Sequence, residues 1–155
     1  MRSIDFYVES FNMKYELFRT GCDSIENMGL WNKDLYGEMD VFYSNEIVSI
    51  IIRLIAADGK IAQKEVDYLN TTFDFDYTLE ELVEVYNSCK EDIGYSFDEG
   101  FENGITYMRK VSNKLADEYK EILVLICQII VASDGVIAET EIAEVNRLKN
   151  MISAK

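Results

Sequence analysis

Residues 56–65 read AADGKIAQKE, and residues 132–141 read ASDGVIAETE. Extended to fifteen positions, 56–70 against 132–146, the two segments share seven identities without a gap, Asn70 among them. Each copy follows an almost purely apolar run. Repetition of this kind indicates one supersecondary unit used twice around one core. The pattern predicts two copies of a buried helix, a tight turn and a second helix.

The turn in each copy is predicted from an Asp-Gly pair. Gly59 and Gly135 directly follow apolar helices, where a glycine supplies the left-handed conformation that ends a helix. Asp58 and Asp134 then lie at a helix C-terminus, where the helix dipole disfavours negative charge by roughly 0.3–1 kcal/mol. Because an acid stands at this unfavourable position in both copies, we expect it to have a specific role. It either caps the next helix or binds a cation.

The spacing of the repeat excludes an ordinary EF-hand. Its acids and glycines match the later positions of a calcium loop, including the bidentate glutamate at position twelve. Positions one and three, however, are Leu54 and Ala56 in the first copy and Ile130 and Ala132 in the second. None of these side chains carries an oxygen, so each loop lacks two carboxylates that calcium needs.

The pattern Ala-x-Asp-Gly-x-Ile-x-x-x-Glu, occurring twice after apolar helices, resembles the TerB family of tellurite-resistance proteins over roughly residues 41–155. The resemblance implies an all-helical, pseudo-symmetric domain associated with bacterial stress and metal-resistance systems, with proposals of metal binding through acidic residues. The N-terminal domain of a membrane-anchored J-domain co-chaperone shares the pattern. Ala62 and Ala138 stand where a small hydroxyl residue is common in the family, which removes any hydroxyl ligand there.

The chain is predicted to form one all-α globular domain of six to eight helices, with two pseudo-symmetric helix-turn-helix repeats. It contains no proline, and no linker composition divides it. Residues 1–40 are predicted to be an N-terminal helical extension that packs on the core, and residues 41–155 to be a TerB-like helical domain. Apolar spacing predicts a helix over 3–19, and glycines predict short helical pieces with turns over 20–43. Ser44 is the predicted N-cap of the first buried helix.

Other helices are predicted from caps and periodicity. Residues 78–81, TLEE, form a full capping box, and residues 96–99, SFDE, form another. The second buried helix is expected to start near Ala116. The second helices of the repeats are expected over about 63–72 and 139–152.

Composition argues against catalysis and against several classes of partner. The chain has no histidine, which excludes Ser-His and Cys-His triads. Three widely spaced cysteines suggest neither zinc nor a disulfide framework. A net charge of −14 argues against nucleic acid, anionic membranes and direct binding of an oxyanion. Apolar runs of 11 residues are too short to cross a bilayer. Without a signal-peptide pattern, we expect a cytoplasmic protein that does not insert into membranes.

Negative charge is concentrated between residues 74 and 102, where the net charge is −9 and Lys90 is the only basic residue. A solvated helix face is the simpler interpretation, and a docking site for a protein with a basic surface is the alternative. The candidate partner-binding residues are Asp74, Asp76, Glu80, Glu81, Glu84, Glu91, Asp92, Asp98, Glu99 and Glu102.

The candidate metal ligands are Asp58, Glu65, Asp134 and Glu141, with Ca²⁺ or Mg²⁺ as the candidate ion. In the structural interpretation, Asp completes each turn and Glu satisfies a backbone N–H at the start of the next helix. We favour that interpretation because hard cations take about six oxygen ligands and each turn supplies few.

Two function classes follow. The first is a non-enzymatic, TerB-like stress-response and metal-resistance module that acts through protein partners. The alternative is a small acidic immunity- or inhibitor-type protein that binds a basic toxin or nuclease. A purely regulatory domain like that of the co-chaperone is kept beside them as a third class. The sequence sets no oligomeric state.

Overall fold

The computed structural model describes residues 4–55, 61–92, 106, 108–133 and 139–153. Every regular element among those residues is a helix, which confirms the predicted all-α class. Seven helices have defined bounds, and we number them in chain order: α1 (Ile4–Asn27), α2 (Lys33–Tyr36), α3 (Met39–Ile55), α4 (Gln63–Phe73), α5 (Leu79–Asp92), α6 (Asn113–Ala132) and α7 (Glu139–Ser153).

Helix α1 is longer than the sequence indicated, because it continues through Gly21 to Asn27. Its inner face buries Phe11 and Phe18, each 1% exposed. A Cβ placed on Gly21 would lie 2.6 Å from Cδ1 of Leu115 in α6. This glycine therefore allows two helices to approach closely, and the prediction of broken pieces starting at residue 20 was wrong there.

The segment between α1 and α3 does consist of turns around one short helix. Gly29 and Gly37 both have φ of +76°, a conformation that glycine adopts without steric cost. The buried Trp31 donates its indole N–H to the carbonyl oxygen of Gly37 at 2.8 Å. Its ring also lies 5.3 Å from that of Phe42 in α3, centroid to centroid. The tryptophan thereby fixes this segment against the start of α3.

Helix α3 begins at Met39, so the prediction that Ser44 caps it was wrong. Ser44 lies within the helix, and its hydroxyl forms a hydrogen bond with the hydroxyl of Tyr15 in α1. Met39 is fully buried. The helix therefore starts more than one turn earlier than the serine suggested, where an apolar side chain anchors it in the core.

Side-chain caps set the starts of α5 and α6. The backbone N–H of Thr78 donates to Oε1 of Glu81, and the N–H of Glu81 donates to Oγ1 of Thr78, both at 3.1 Å. This reciprocal pair confirms the predicted capping box. Helix α6 begins at Asn113, slightly before its predicted start, because Oγ of Ser112 accepts the N–H of Leu115 at 3.2 Å.

The centre of the molecule lies where α1, α3 and α6 meet. The rings of Tyr43 in α3 and Tyr119 in α6 are 5.5 Å apart. Phe18 of α1 lies 5.9 Å from the first ring and 5.4 Å from the second. Helix α5 packs on α3, and α7 packs on α6. Eleven of the 17 residues of α3 and nine of the 20 residues of α6 are buried, which agrees with the expectation that the apolar runs of these helices lie inside.

One acid lies inside this core. Glu46 is 4% exposed, and its Oε1 accepts a hydrogen bond from the hydroxyl of Tyr119 at 2.7 Å. Burying an ionised carboxylate without such a partner costs on the order of several kcal/mol. The pair therefore ties α3 to α6 by a polar contact within an apolar interior.

The two Asp-Gly turns, within 56–60 and 134–138, and the second capping box at 96–99 lie outside the described residues. The pseudo-symmetry of the two repeats accordingly stays a prediction. Of the helices bounded above, none combines the length and apolar character that crossing a bilayer requires.

Candidate functional site

Glu65 is the one predicted metal ligand whose side chain the structure describes. It lies in the first turn of α4, which begins after Ala62, a residue in extended conformation that makes no side-chain cap. Glu65 is only 8% exposed, and its Oε2 has no hydrogen-bond partner among the residues that the structure describes. A buried polar atom without a partner is costly. A carboxylate oxygen in this position is of the kind that binds a hard cation.

Tyr68, one helical turn after Glu65, links the first repeat to the second. Its hydroxyl oxygen lies 2.7 Å from Oγ of Ser133, and Ser133 donates its own hydrogen to the carbonyl of Ile129 at 2.7 Å. Because a serine hydroxyl has one hydrogen, Tyr68 must be the donor to Ser133. Burial raises the pKa of Tyr68, although the bond to Ser133 opposes the shift. Ser133 directly precedes Asp134 in the chain.

The remaining predicted metal ligands are not described: Asp58 and Asp134 lie outside the described residues, as does the side chain of Glu141. Within the described part of the chain, no cluster of three or more Cys, Asp or Glu side chains could hold a metal ion. Residues three apart share a helix face, so the Tyr68 contact places Glu65 on the side of α4 that faces the residue before Asp134. The meeting of all four carboxylates stays a prediction.

Asn70 fixes the loop between α4 and α5. Its Nδ2 donates to the carbonyl oxygen of Tyr77 at 2.8 Å, and its Oδ1 accepts the N–H of the same residue at 3.0 Å. The Tyr77 hydroxyl donates to Oδ1 of Asn45 in α3 at 3.2 Å. Asp74, in the same loop, has φ of 58° and ψ of 45°, a left-handed conformation that Asp tolerates better than most residues. The exposed Asp74 and Asp76 are therefore displayed on a well-anchored loop.

Helix α5 continues this display of acids. Glu80 and Glu84 are exposed on the helix, while Leu82 is fully buried against the core. Neither glutamate forms an ion pair with a described residue. Glu81 is also exposed, although its carboxylate is engaged in the capping box. We call the exposed acids Asp74, Asp76, Glu80, Glu81 and Glu84 the acidic surface.

The other predicted partner-binding residues cannot be added to the acidic surface. Glu91 and Asp92 form the end of α5, but their side chains are not described. Asp98, Glu99 and Glu102 lie outside the described residues.

A family model described as tellurite resistance protein TerB matches residues 44–155. The chain belongs to the TerB family. Comparisons with curated proteins and with solved structures return no match. The TerB match spans Glu65, the Tyr68–Ser133 contact and the acidic surface, all of which lie in a tellurite-resistance-type domain. Helices α1 and α2 precede it.

Two contacts within the TerB match were not predicted from the sequence: those of Asn70 and the one between Tyr68 and Ser133. The sequence shows Asn70 only as one of the residues identical in the two repeats, and that identity is the signal from which its role could have been suspected. Tyr68 and Ser133 lie 65 positions apart, and no local pattern pairs a tyrosine with a distant serine.

Proposed function

We propose that this TerB-family protein is a non-enzymatic stress-response and metal-resistance module that acts by binding a protein with a basic surface. The acidic surface carries this proposal. Its acids are exposed, make no ion pair with a described residue, and stand on a loop clamped by Asn70 and a helix start closed by Thr78. Fixed like charges steer an oppositely charged partner and make its binding dependent on salt.

The chemistry of the described side chains supports a role without catalysis. The chain has no histidine. Burial raises the pKa of Cys22 and of Cys127 to about 12. Since the thiolate is the nucleophilic form, neither cysteine supplies a nucleophile at neutral pH.

The partner is tested by capture from a lysate of the native host on the immobilised protein. The Asp76→Lys, Glu84→Lys variant reverses two charges of the acidic surface. The Asp34→Lys, Glu38→Lys variant makes the same change in net charge at exposed acids elsewhere. We expect the first variant to weaken capture at least about tenfold and the second to leave it within about twofold, with binding falling steeply as salt rises. Binding that survives the first variant at every salt concentration would exclude the acidic surface.

The identity of the captured protein separates the two function classes. A component of a resistance or stress system supports the proposal. A basic toxin or nuclease, neutralised by this protein in an activity assay, supports the alternative of an acidic immunity- or inhibitor-type protein.

We further propose that Glu65 contributes to a divalent cation site together with Asp58, Asp134 and Glu141, for Ca²⁺ or Mg²⁺. Two observations support it: the buried Oε2 of Glu65 lacks a partner within the described part of the chain, and Tyr68 binds the residue that precedes Asp134. Carboxylate oxygens are the ligands that these hard cations prefer.

The cation site is tested by thermal melting at matched ionic strength, with NaCl against CaCl₂ or MgCl₂, because any salt screens a chain of this charge. A site filled to 100 times its Kd adds about 2.7 kcal/mol to the free energy of unfolding. The Glu65→Gln variant and the Asp58→Asn, Asp134→Asn variant should lose this increment. Asp67→Asn, an exposed acid on the same helix, should keep it. If calcium and magnesium stabilise no more than sodium, the four acids are turn architecture.

A further inference from the structure

Helix α1 has a second apolar stripe that points away from the core. Phe6, Met13 and Leu17 are 42%, 58% and 52% exposed. At roughly 100° per residue these three side chains lie within about 40° of one another around the helix axis. The buried Phe11 and Phe18 lie on the opposite side of the same helix. We call Phe6, Met13 and Leu17 the outer stripe.

One edge of the outer stripe is lined by acids, which lie about 60° to 100° around the helix axis from the centre of the stripe. These exposed residues, which we call the acidic edge, are Asp5, Glu9, Glu16 and Asp23. Glu16 lies 3.5 Å from the guanidinium of Arg19, and the other three make no ion pair with a described residue. On the opposite edge, Lys14 is already bound to Glu121 of α6 at 2.7 Å. The stripe therefore has uncompensated negative charge along one side only.

Beside the other edge runs an open groove of about 420 Å³ between α1, α6 and α7. Ser10 of α1 lines it next to the stripe, and the half-buried Val124 and Leu125 of α6 line it further in. The groove widens the apolar surface beyond the helix itself. Lys14, Lys120 and Glu121 also line it, and Lys14 is paired with Glu121, so the groove offers a basic ligand no uncompensated acid. Basic residues of a ligand would therefore face the acidic edge instead.

We propose that the outer stripe of α1 docks an amphipathic helix of a partner protein, with its apolar face on Phe6, Met13 and Leu17 and its basic residues along the acidic edge. Recognition between amphipathic helices uses apolar anchors three, four or seven residues apart, and the three residues of the outer stripe are seven and four apart. The surface precedes the matched residues 44–155. It is formed by other residues than the acidic surface, and its proposed role does not depend on the function proposed above.

Charge argues against two other occupants of the outer stripe, a second copy of this chain and an anionic membrane. In an antiparallel pair of α1 helices, the acidic edges of two copies would lie against each other. In a parallel pair, the acidic edge would meet an edge whose Lys14 is already bound. Each copy also carries a net charge of −14, which opposes self-association and binding to anionic lipid.

The probe is a fluorescein-labelled peptide of leucine and lysine, about 18 residues long, with its leucines on one helical face. A scrambled peptide of the same composition keeps the charge and removes the apolar face. Binding is followed by fluorescence anisotropy with the full chain at physiological ionic strength. We expect the ordered peptide to bind at least about tenfold more tightly than the scrambled one, since the apolar contact adds to the electrostatic attraction.

Two variants locate the binding. Met13→Ser, Leu17→Ser should weaken binding of the ordered peptide about tenfold or more, while Val41→Ser, an equally exposed apolar residue on α3 (49% exposed), should not. Glu9→Gln, Glu16→Gln should weaken binding and reduce its dependence on salt. Asp76→Asn, Glu84→Gln, on the acidic surface, should leave it within about twofold. All the substituted residues are exposed, and circular dichroism confirms that each variant is folded.

Several results would overturn the proposal. One is ordered and scrambled peptides that bind equally well, or an ordered peptide that does not bind at all. Another is loss of binding in the acidic-surface variant rather than in the α1 variants. Sedimentation that shows a dimer abolished by Met13→Ser, Leu17→Ser would assign the stripe to a second copy. Flotation with phosphatidylcholine–phosphatidylglycerol vesicles, abolished by the same variant, would assign it to a membrane.

Discussion

Tyr119 donates its hydroxyl hydrogen to Oε1 of Glu46 across 2.7 Å, and both residues are almost completely buried. The bond joins α3 to α6 beside the ring cluster of Phe18, Tyr43 and Tyr119. A buried polar pair is favourable only while its members remain hydrogen-bonded, because the low dielectric that strengthens the bond also makes an unpaired group costly.

Tyr119→Phe keeps the ring packing and removes the donor to Glu46. We expect the free energy of unfolding to fall by about 1–3 kcal/mol, because a buried oxygen of Glu46 loses its donor. Urea unfolding measures it. Tyr7→Phe, at a half-buried tyrosine of α1, is the control and should change stability by less than about 0.5 kcal/mol. Equal effects of the two variants would mean that the Glu46 contact contributes nothing.

Gly21→Ala should be less favourable when Leu115 is present than in the Leu115→Ala background. The added methyl lies 2.6 Å from Cδ1 of Leu115, whereas the gain in helix propensity is the same in both backgrounds and cancels. We expect an interaction energy of about 0.5–1 kcal/mol, at the low end for contacting residues because a leucine methyl can shift. Denaturant melts of the four proteins give the value. An interaction energy of zero would show that the helices lie further apart.

Asn70→Ala removes both hydrogen bonds to the backbone of Tyr77. We expect a loss of about 1–3 kcal/mol, because the N–H and carbonyl of a half-buried residue lose their partners. Amide exchange of residues 75–78 should accelerate more than that of α6. Asn87→Ala, at an exposed asparagine of α5, should leave both stability and exchange unchanged. A loop that exchanges at its original rate in Asn70→Ala would mean that other contacts hold it.

The two described cysteines should resist thiol reagents in the folded protein. Burial raises the pKa of each thiol from 9.0 to about 12, with Asp40 adding to the effect at Cys22. In a Cys89→Ser variant, Ellman's reagent at pH 8 should label no thiol until urea unfolds the chain, after which both should react. Because the unfolded thiols ionise first, stability should fall as the pH rises from about 9 toward 12. Rapid labelling before unfolding would contradict the burial.

Much of the helical framework could be predicted, because the signals involved are local. The TLEE capping box at 78–81 opens α5 as expected. Helices α4 (Gln63–Phe73) and α7 (Glu139–Ser153) end within one residue of the predicted positions. Periodicity and capping chemistry act over a few neighbouring residues, so the sequence displays them directly.

The errors arose at residues whose local pattern indicated a turn or a cap but whose actual role is set by a contact with a distant part of the chain. Gly21 read as a turn, but its missing side chain makes room for Leu115, far along the chain. Ser44 read as a cap, but its hydroxyl meets Tyr15 of α1 from within a helix. In the candidate site, acids could be predicted from charge alone, whereas the Tyr68–Ser133 contact arises only once the helices have packed.

The contact of Phe18 with both Tyr43 and Tyr119 has a consequence for the choice of a shorter fragment of this protein. The matched segment begins at residue 44, inside α3, which starts at Met39. A fragment cut there would lose the first turn of that helix and the aromatic wedge of α1, and would open the ring of Tyr119 and the carboxylate of Glu46 to water. The segment that matches the family therefore begins later than the segment that the fold requires. A minimal version designed from the family boundary should aggregate or remain partly unfolded.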